Sequence, residues 1–90
     1  IFIINFIYTI FYNTNINNVT LSSNVKTINP YAFYGCGNLM NVVIYAVTPP
    51  VLGMGAFDNV NENCVIRVPS ASLASYQTDW SDYSSMIISI

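Results

Sequence analysis

The chain has very little charge and no histidine. Of its 90 residues only Lys26 and Arg67 are basic and four are acidic, so charged residues make up 7% and the net charge is −2. Nucleic-acid binding depends on clustered Lys and Arg that neutralise phosphates, so this composition excludes it as a main function. A net charge this small also gives weak electrostatic steering of any partner.

The absence of histidine argues against catalysis. Serines are numerous, but a serine or cysteine nucleophile needs a neighbouring base, and histidine is the usual one. General acid–base chemistry needs a positioned pair of groups with tuned acidity. Asp79 and Asp82 instead flank Trp80 where a helical pattern starts, a position at which acids cap helices and complement the helix dipole. We therefore predict a non-enzymatic protein without a cofactor.

Metal ligands are also few. Cys36 and Cys64 occupy different places in the sequence pattern, so burial in a core is the simpler interpretation, and a bridge between them stays open. The polar loop over residues 58–63 lacks the ordered alternate acids and central glycine of a calcium loop and is more typical of an Asx-rich turn. No metal site is predicted.

The chain also has no hydrophobic run long enough to span a membrane. Residues 1–12 are almost wholly apolar, but a membrane-spanning helix needs about 20 such residues. The run also lacks the basic start and the small-residue cleavage site of a signal sequence. We predict that the chain does not span a membrane and that residues 1–15 are a degenerate partial repeat. The sequence at 10–13, IFYN, is similar to AFYG at 32–35, which lies 22 positions later.

The chain contains an internal repeat, because residues 16–38 and 39–63 have apolar residues at equivalent positions. The apolar pairs that lie 23 apart are Ile16 and Leu39, Val19 and Val42, and Leu21 and Ile44; those 24 apart are Ile28 and Leu52, Ala32 and Ala56, and Phe33 and Phe57. A period of this length with fixed apolar positions predicts a solenoid. Each coil is too small to bury its own apolar face, so neighbouring coils must stack.

Short strands recur at the same place in each repeat. Residues 19–21, 42–44 and 66–68 alternate between core and solvent positions, which predicts three parallel strands in one ribbon. Residues 25–28 predict a second extended segment on the other face of the coil. The expected core is Val19, Leu21, Ile28, Phe33, Leu39, Val42, Ile44, Leu52, Phe57, Ile66 and Val68.

The pattern changes after Pro69. Ser70 is placed to cap a helix, and two short helical pieces with a break near residues 78–79 suit the spacing that follows. The apolar positions of this segment are Leu73, Tyr76, Trp80, Tyr83 and Ile87. The last coil of a solenoid leaves its core open, so we predict that residues 70–90 pack over it as a C-terminal helical cap.

At these positions the chain resembles a known family, the BspA-type (treponemal-type) leucine-rich repeat. The family pattern of a short strand, a central V–x–x–I and an A–F–x–x–C before the next leucine is matched by Val19, Leu21, Val25, Ile28, Ala32, Phe33, Cys36 and Leu39. The closing segment is similar too, through Thr48-Pro49-Pro50, Ala56-Phe57, Val68-Pro69, Ser72 with Tyr76, and Trp80 with Tyr83. The chain departs from the pattern at Ser22, where proline is common, and at Val60, where cysteine is expected.

The resemblance implies a fold that is mostly β with short helices. This would be a leucine-rich-repeat solenoid with short parallel strands over residues 16–69 and a helical cap over 70–90. It implies a non-catalytic module at the cell surface or outside the cell, with a protein or cell-surface ligand as partner and adhesion as its role. Further leucine-rich repeats are expected upstream in a longer chain.

The outward positions of the strand ribbon are the candidate binding residues. They are Asn18, Thr20, Asn41, Val43, Tyr45 and Arg67, with Ser22 and Val65 beside them. Tyrosine and arginine are enriched at interaction hot spots. The same positions also suit a plain solvated sheet face, and the segment could instead serve only to close a longer array whose binding surface lies upstream. Asn18-Val19-Thr20 additionally matches the acceptor sequence for N-glycosylation.

Overall fold

A computed structural model describes residues 2–3 and 11–90, and short parallel strands dominate it. The strands are β1 (Phe2–Ile3), β2 (Asn18–Leu21), β3 (Thr27–Ile28), β4 (Asn41–Ile44), β5 (Val51–Leu52), β6 (Val65–Val68) and β7 (Ile87–Ser89). One sheet has the order β1-β2-β4-β6-β7, and a second pairs β3 with β5. All pairs are parallel. The partial repeat predicted over residues 1–15 lies in part, at residues 1 and 4–10, outside the described residues.

The strand register reproduces the sequence repeat. Val19 lies opposite Val42, and Val42 lies opposite Ile66. In the second sheet Ile28 lies opposite Leu52. The three predicted ribbon strands and the second extended segment are confirmed. Consecutive repeats therefore bring residues 23–24 apart side by side, so each apolar position packs on its own counterpart.

The core lies between the two sheets. Of the eleven residues predicted to be buried, ten are buried. Leu52 is the exception, because the structure leaves it half-buried. Its strand β5 is paired only with β3 among the described strands, and its side chain borders an open cleft against the C-terminal segment. The prediction that Leu52 is buried was wrong, because no further repeat among the described residues packs on its strand and covers its side chain.

A stack of phenylalanine rings runs along the core. The Phe11 and Phe33 ring centroids are 5.6 Å apart, and those of Phe33 and Phe57 are 5.3 Å apart with nearly parallel planes. Beyond Phe57 the stack continues on the C-terminal segment, with Trp80 at 5.9 Å and Tyr83 edge-on at 5.6 Å. The repeats and the segment over residues 70–90 thus share one core.

Left-handed backbone recurs with the same period. Asn13, Gly35 and Asn59 have φ of 56°, 75° and 59°, at spacings of 22 and 24 residues. Asparagine and glycine are the residues that tolerate this conformation best. Backbone hydrogen bonds join these left-handed turns to the equivalent turn of the next repeat. Asn13 N donates to Tyr34 O (2.8 Å), and Gly35 N donates to Asp58 O (3.0 Å).

Gly53 lies where its repeat packs closely on the backbone of the preceding one. Its N–H donates to Ile28 O at 2.7 Å, and a Cβ atom built on it would lie 2.5 Å from the Asn29 carbonyl carbon and 2.6 Å from the Pro30 Cα. Because these neighbours are backbone atoms, they have no rotamer with which to move away. A side chain at this position would therefore push the two repeats apart locally.

We predict that Gly53→Ala lowers the free energy of unfolding by about 1–3 kcal/mol, as overpacked sites do. Gly37→Ala is the matched control, because a Cβ there meets nothing within 4 Å, and its effect should stay within about 0.5 kcal/mol. Urea unfolding followed by circular dichroism measures both. Equal losses for the two variants would contradict the close approach at Gly53.

The C-terminal segment is only partly helical. It comprises a 3₁₀ turn (Ser70–Ser72), α1 (Leu73–Asp79), a second 3₁₀ segment (Ser81–Met86) and the strand β7. Two helical pieces were expected, and the break between them falls at Trp80. The strand was not expected. The prediction of Ser70 as a helix cap was wrong, because Pro69 precedes the turn and neither piece has a side-chain cap. Asp79 ends α1 and Asp82 lies in the first turn of the second 3₁₀ segment.

Candidate interaction surface

The predicted binding residues share one face of the five-stranded sheet. In β2 and β4 the burial alternates, so that Val19, Leu21, Val42 and Ile44 are buried while the residues between them face outward. Asn18 lies opposite Asn41, which lies opposite Val65; Thr20 lies opposite Val43, which lies opposite Arg67. The outward residues therefore form two straight rows across the strands. This placement follows from the strand period and the parallel register.

The first row is held by side-chain hydrogen bonds. Asn41 Nδ2 donates to Asn18 Oδ1 at 2.9 Å, and Asn18 Nδ2 donates to Asn17 Oδ1 at 3.0 Å. Arg67 Nη1 reaches diagonally to Asn41 Oδ1 at 3.5 Å. These bonds join side chains of three successive repeats. They restrict the rotamers of the row, and side chains ordered before binding lose less entropy in a complex.

Tyr45 projects from the end of β4. Its ring is 49% exposed, while its N–H donates to Leu21 O at 3.0 Å, which fixes its backbone to the neighbouring repeat. Thr20, Val43 and Arg67 are half-buried on the same face. A rigidly mounted, exposed tyrosine offers a large contact area with little entropy to lose.

Sequence reasoning missed one member of this surface. Ile88 of β7 lies opposite Arg67 and extends the second row by one strand, and its side chain is 42% exposed. The segment was assigned to a helix because Ile87 continued the helical spacing. The signal for a strand was present in the run Ile87-Ile88-Ser89-Ile90, which begins 21 residues after Ile66 and is rich in β-branched residues.

On the far side of the last repeat, Tyr83 takes the place of a backbone acceptor. Phe33 N donates to Ala56 O of the next repeat at 2.9 Å. The equivalent amide one repeat later, Phe57 N, donates instead to the Tyr83 hydroxyl at 3.3 Å. That hydroxyl donates in turn to Asp58 Oδ1 at 2.7 Å. The tyrosine thus satisfies a buried amide that has no following repeat to pair with.

Three more side chains of the C-terminal segment bind carbonyl groups of the preceding turn. The Tyr76 hydroxyl donates to Ala46 O (2.6 Å), Ser72 Oγ donates to Val47 O (2.6 Å) and Trp80 Nε1 donates to Pro50 O (3.1 Å). Tyr76, Trp80 and Tyr83 are all at most 8% exposed. The segment therefore combines apolar burial with pairing of the backbone groups left at residues 46–57.

Burial raises the pKa values of the groups at this junction. Desolvation, followed by the hydrogen bond to Asp58, raises the pKa of Tyr83 to about 12. Desolvation also raises the pKa of Tyr76 and brings that of the Cys64 thiol to about 11. Because these groups ionise more readily when unfolded, the stability they contribute is complete below their unfolded pKa values, about 9 to 10, and is lost as the pH rises through the folded ones.

We predict that Tyr83→Phe lowers the free energy of unfolding at pH 7 by about 1–3 kcal/mol, because the Phe57 amide is left buried without its acceptor. The variant should also lose less stability than the parent between pH 10 and 12, because it has no hydroxyl to ionise at this position. Urea unfolding at both ends of that range measures the difference. Tyr45→Phe, at an exposed residue, is the control and should keep the parent's stability at pH 7. A Tyr83→Phe curve parallel to the parent would contradict the assignment.

A cleft of about 340 Å³ lies between the second repeat and the C-terminal segment. Asp58, Asp79 and Asp82 line it, with Gly53 and Trp80 among the other walls. None of the six predicted binding residues borders it. The two surfaces are therefore separate, and the cleft carries three of the four acidic side chains of the chain.

The two cysteines are free thiols in the core. Cys36 Sγ donates to Phe11 O at 2.9 Å. In the loop over residues 58–63, Asn61 Oδ1 accepts from Asn63 N at 2.9 Å and Asn61 Nδ2 donates to Gly37 O at 3.0 Å, which is an Asx-type turn tied to the preceding repeat. Within residues 2–3 and 11–90, no three His, Cys, Asp or Glu side chains are grouped so that they could hold a metal ion. Nor does that part of the chain contain a helix suited to crossing a bilayer.

Comparison with known proteins identifies the class of this fold. The family model described as a BspA type Leucine rich repeat region (6 copies) matches residues 5–88. The chain therefore belongs to this leucine-rich-repeat family, as its sequence pattern predicted. A comparison with curated proteins finds no match. Leucine-rich repeats are modules for protein–protein interaction, and the family is generally non-catalytic.

Proposed function

We propose that this chain is an adhesion module that binds a protein or cell-surface ligand through the outward face of its strand ribbon. The observation that carries the proposal is a hydrogen-bonded network that links three strands: Asn41 of the first row binds Asn18 beside it, and Arg67 of the second row reaches diagonally to Asn41. Side chains that only solvate a sheet need no such order. A face of fixed, uncharged hydrogen-bonding groups with one cation and one exposed tyrosine suits a protein surface.

The proposed location is the cell surface or the extracellular space. BspA-type repeats are typically found in surface or secreted proteins, which motivates the assignment. The surface chemistry agrees with it, because polarity comes mainly from uncharged residues, including twelve asparagines. A longer array with further repeats upstream would extend the same ribbon.

We also propose that the repeats form a solenoid and that residues 70–90 act as its C-terminal cap. Tyr83 supports the second point, because its hydroxyl accepts from Phe57 N where a further repeat would supply a carbonyl. The burial of Tyr76, Trp80 and Ile87 supports it as well. Strand β7 adds one more strand, and Gln77 Nε2 donates to Ile87 O at 3.4 Å, which pairs an outer carbonyl of the sheet.

A second function follows from the cap. In this alternative the segment is purely structural, ending a longer array and keeping it soluble, while the ligand binds upstream. Four hydrogen bonds to the preceding turns favour it: Ser72, Tyr76 and Trp80 each donate one to a backbone carbonyl, and Tyr83 accepts one from Phe57 N. The two functions differ in one respect that can be measured, namely whether the 90-residue chain binds by itself.

Adhesion of coated microspheres to cultured animal cells tests the proposal. We expect the chain to promote adhesion and the double variant Tyr45→Ala, Arg67→Ala to weaken it at least about thirtyfold, since truncation of even one hot-spot residue costs about 2 kcal/mol or more. The control is Val51→Ala, Met54→Ala, two residues that are 71% and 74% exposed away from the ribbon face. Equal loss in both variants would reject the ribbon face. Absence of adhesion by the chain, with adhesion by an array of upstream repeats, would favour the capping role.

A further inference from the structure

The sequence Asn18-Val19-Thr20 lies at the edge of the outward sheet face. Asn18 is the first residue of β2 and is exposed, Val19 points into the core and Thr20 returns to the outward face. It is the one match to the acceptor pattern N-x-S/T, with x other than proline, in the 90 residues, although the chain contains twelve asparagines. The pattern is the recognition sequence for transfer of an oligosaccharide to an asparagine amide.

We propose that Asn18 is an N-glycosylation site and that its glycan covers one end of the candidate binding face, away from Tyr45 and Arg67. The proposal rests on the extracellular location proposed above, because only secreted or surface chains meet the transferring enzyme in cells. The transferred group is an oligosaccharide carried on an activated lipid phosphate. A bond forms between asparagine Nδ2 and the first sugar carbon, one amide proton leaves, and the bond from that carbon to the lipid phosphate breaks.

The hydrogen bonding of Asn18 is compatible with this modification. Transfer takes place at Nδ2, which donates to Oδ1 of the exposed neighbour Asn17 at 3.0 Å. The interaction that joins the strands uses the other end of the amide, because Asn18 Oδ1 accepts from Asn41 Nδ2 at 2.9 Å. An N-linked amide keeps its carbonyl oxygen. The hydrogen bond from Asn41 to Asn18 Oδ1 can therefore be kept after glycosylation.

The position of the site determines what the glycan would shield. Asn18 belongs to the first outward row, in register with Asn41 and Val65, whereas Thr20, Val43 and Arg67 form the second row. Tyr45 projects beyond the far end of β4. A glycan on Asn18 would cover the start of β2 and leave Tyr45 and Arg67 accessible. A partner would then bind through the second row and Tyr45, and Asn18 itself would be withdrawn from the contact surface.

Secretion of the full chain from a eukaryotic host, behind a cleavable signal, tests the site. We expect intact-mass analysis to show one glycan that peptide N-glycosidase removes, converting Asn18 to aspartate. Asn18→Gln and Thr20→Val should abolish it, and Thr20→Ser should retain it. Because secretion is imposed by the signal, a negative result would reject the site without bearing on the adhesion proposal.

Val43→Thr provides the matched control. It creates the same acceptor pattern at Asn41, which is exposed and lies opposite Asn18 in the next strand. A glycan at Asn41 of this variant without one at Asn18 would overturn the proposal. It would show that an acceptor at this position of the strand can be glycosylated and that Asn18 is nevertheless not. A secreted chain without a glycan at either position would also overturn it. A glycan at Asn18 in the parent that leaves the circular dichroism spectrum unchanged is the supporting result.

Discussion

Removal of residues 70–90 is expected to abolish the folded monomer and to cause aggregation. The deletion removes four large side chains that are at most 8% exposed, those of Tyr76, Trp80, Tyr83 and Ile87. At about 1.5–3 kcal/mol for each buried side chain, the loss is roughly 6–12 kcal/mol, which is comparable to the whole stability of a small domain. The deletion also exposes the ring of Phe57 and the edge of β6. An exposed strand edge can pair with a strand of another molecule and so promotes aggregation.

Size-exclusion chromatography and circular dichroism measure this effect. The truncated chain should elute in the void volume or require denaturant to stay soluble. Deletion of Ile90 alone is the control, because this residue is 56% exposed and its main contribution is a hydrogen bond from its N–H to Val68 O. A truncated chain that stays monomeric and gives the circular dichroism spectrum of a folded, strand-rich protein would show that the segment is dispensable.

Phe33→Ala should lower the free energy of unfolding by about 3–5 kcal/mol, the usual cost of removing a fully buried phenylalanine. Phe33 has no exposed surface and stacks on a ring at each side, Phe11 at 5.6 Å and Phe57 at 5.3 Å. Truncation would leave a cavity between two rings whose backbones are held by hydrogen bonds, from Cys36 Sγ to Phe11 O and from Phe57 N to the Tyr83 hydroxyl. The site therefore has little freedom to collapse.

Phe11→Ala is the matched control for this prediction. It removes the same side chain from the same ring stack, but Phe11 is only half-buried and has Phe33 as its one stacked phenylalanine neighbour among the described residues. We expect a clearly smaller loss in urea unfolding. If the two variants lost the same stability, or Phe11→Ala lost more, the stack would not be the centre of the core.

The repeat register could be predicted because each apolar position packs on its own counterpart. A pair such as Val19 and Val42 sits at equal offsets in the sequence and side by side in the sheet. Local pattern and tertiary contact therefore carry the same information. Helix caps and the end of the chain are different, because they depend on groups far away in sequence. Ser72, for example, uses its hydroxyl for Val47 O and not for its own helix.

The strand at residues 87–89 was missed for a similar reason. Alone, its spacing from Trp80 and Tyr83 suits a helix, and only the unpaired edge of β6 makes it a strand. Leu52 was assigned to the core because its counterpart Ile28 is there, but the absence of a following repeat leaves it beside the cleft. The left-handed conformation at Tyr31, with φ of 59°, could not be predicted from the sequence, because tyrosine is not a residue typical of this conformation. Its counterpart one repeat later is Gly55, which also has a positive φ.

The sequence predicted which residues share the outward sheet face, but it did not predict the hydrogen bonds between their side chains. Strand alternation placed Asn18, Thr20, Asn41, Val43 and Arg67 outward, and the register then aligned them. The diagonal contact from Arg67 to Asn41 depends on side-chain reach, which a pattern does not encode. The ligand depends on chemistry outside the chain.

Hydrogen exchange of the intact chain tests the account most directly. If the repeats and the C-terminal segment form one closed stack, the amides of β2, β4 and β6 and those of Phe57, Trp80 and Tyr83 should exchange slowly and with similar protection. Their opening should then require unfolding of the whole domain. Fast, free-chain exchange over residues 70–90, with protection retained over residues 16–68, would contradict the account.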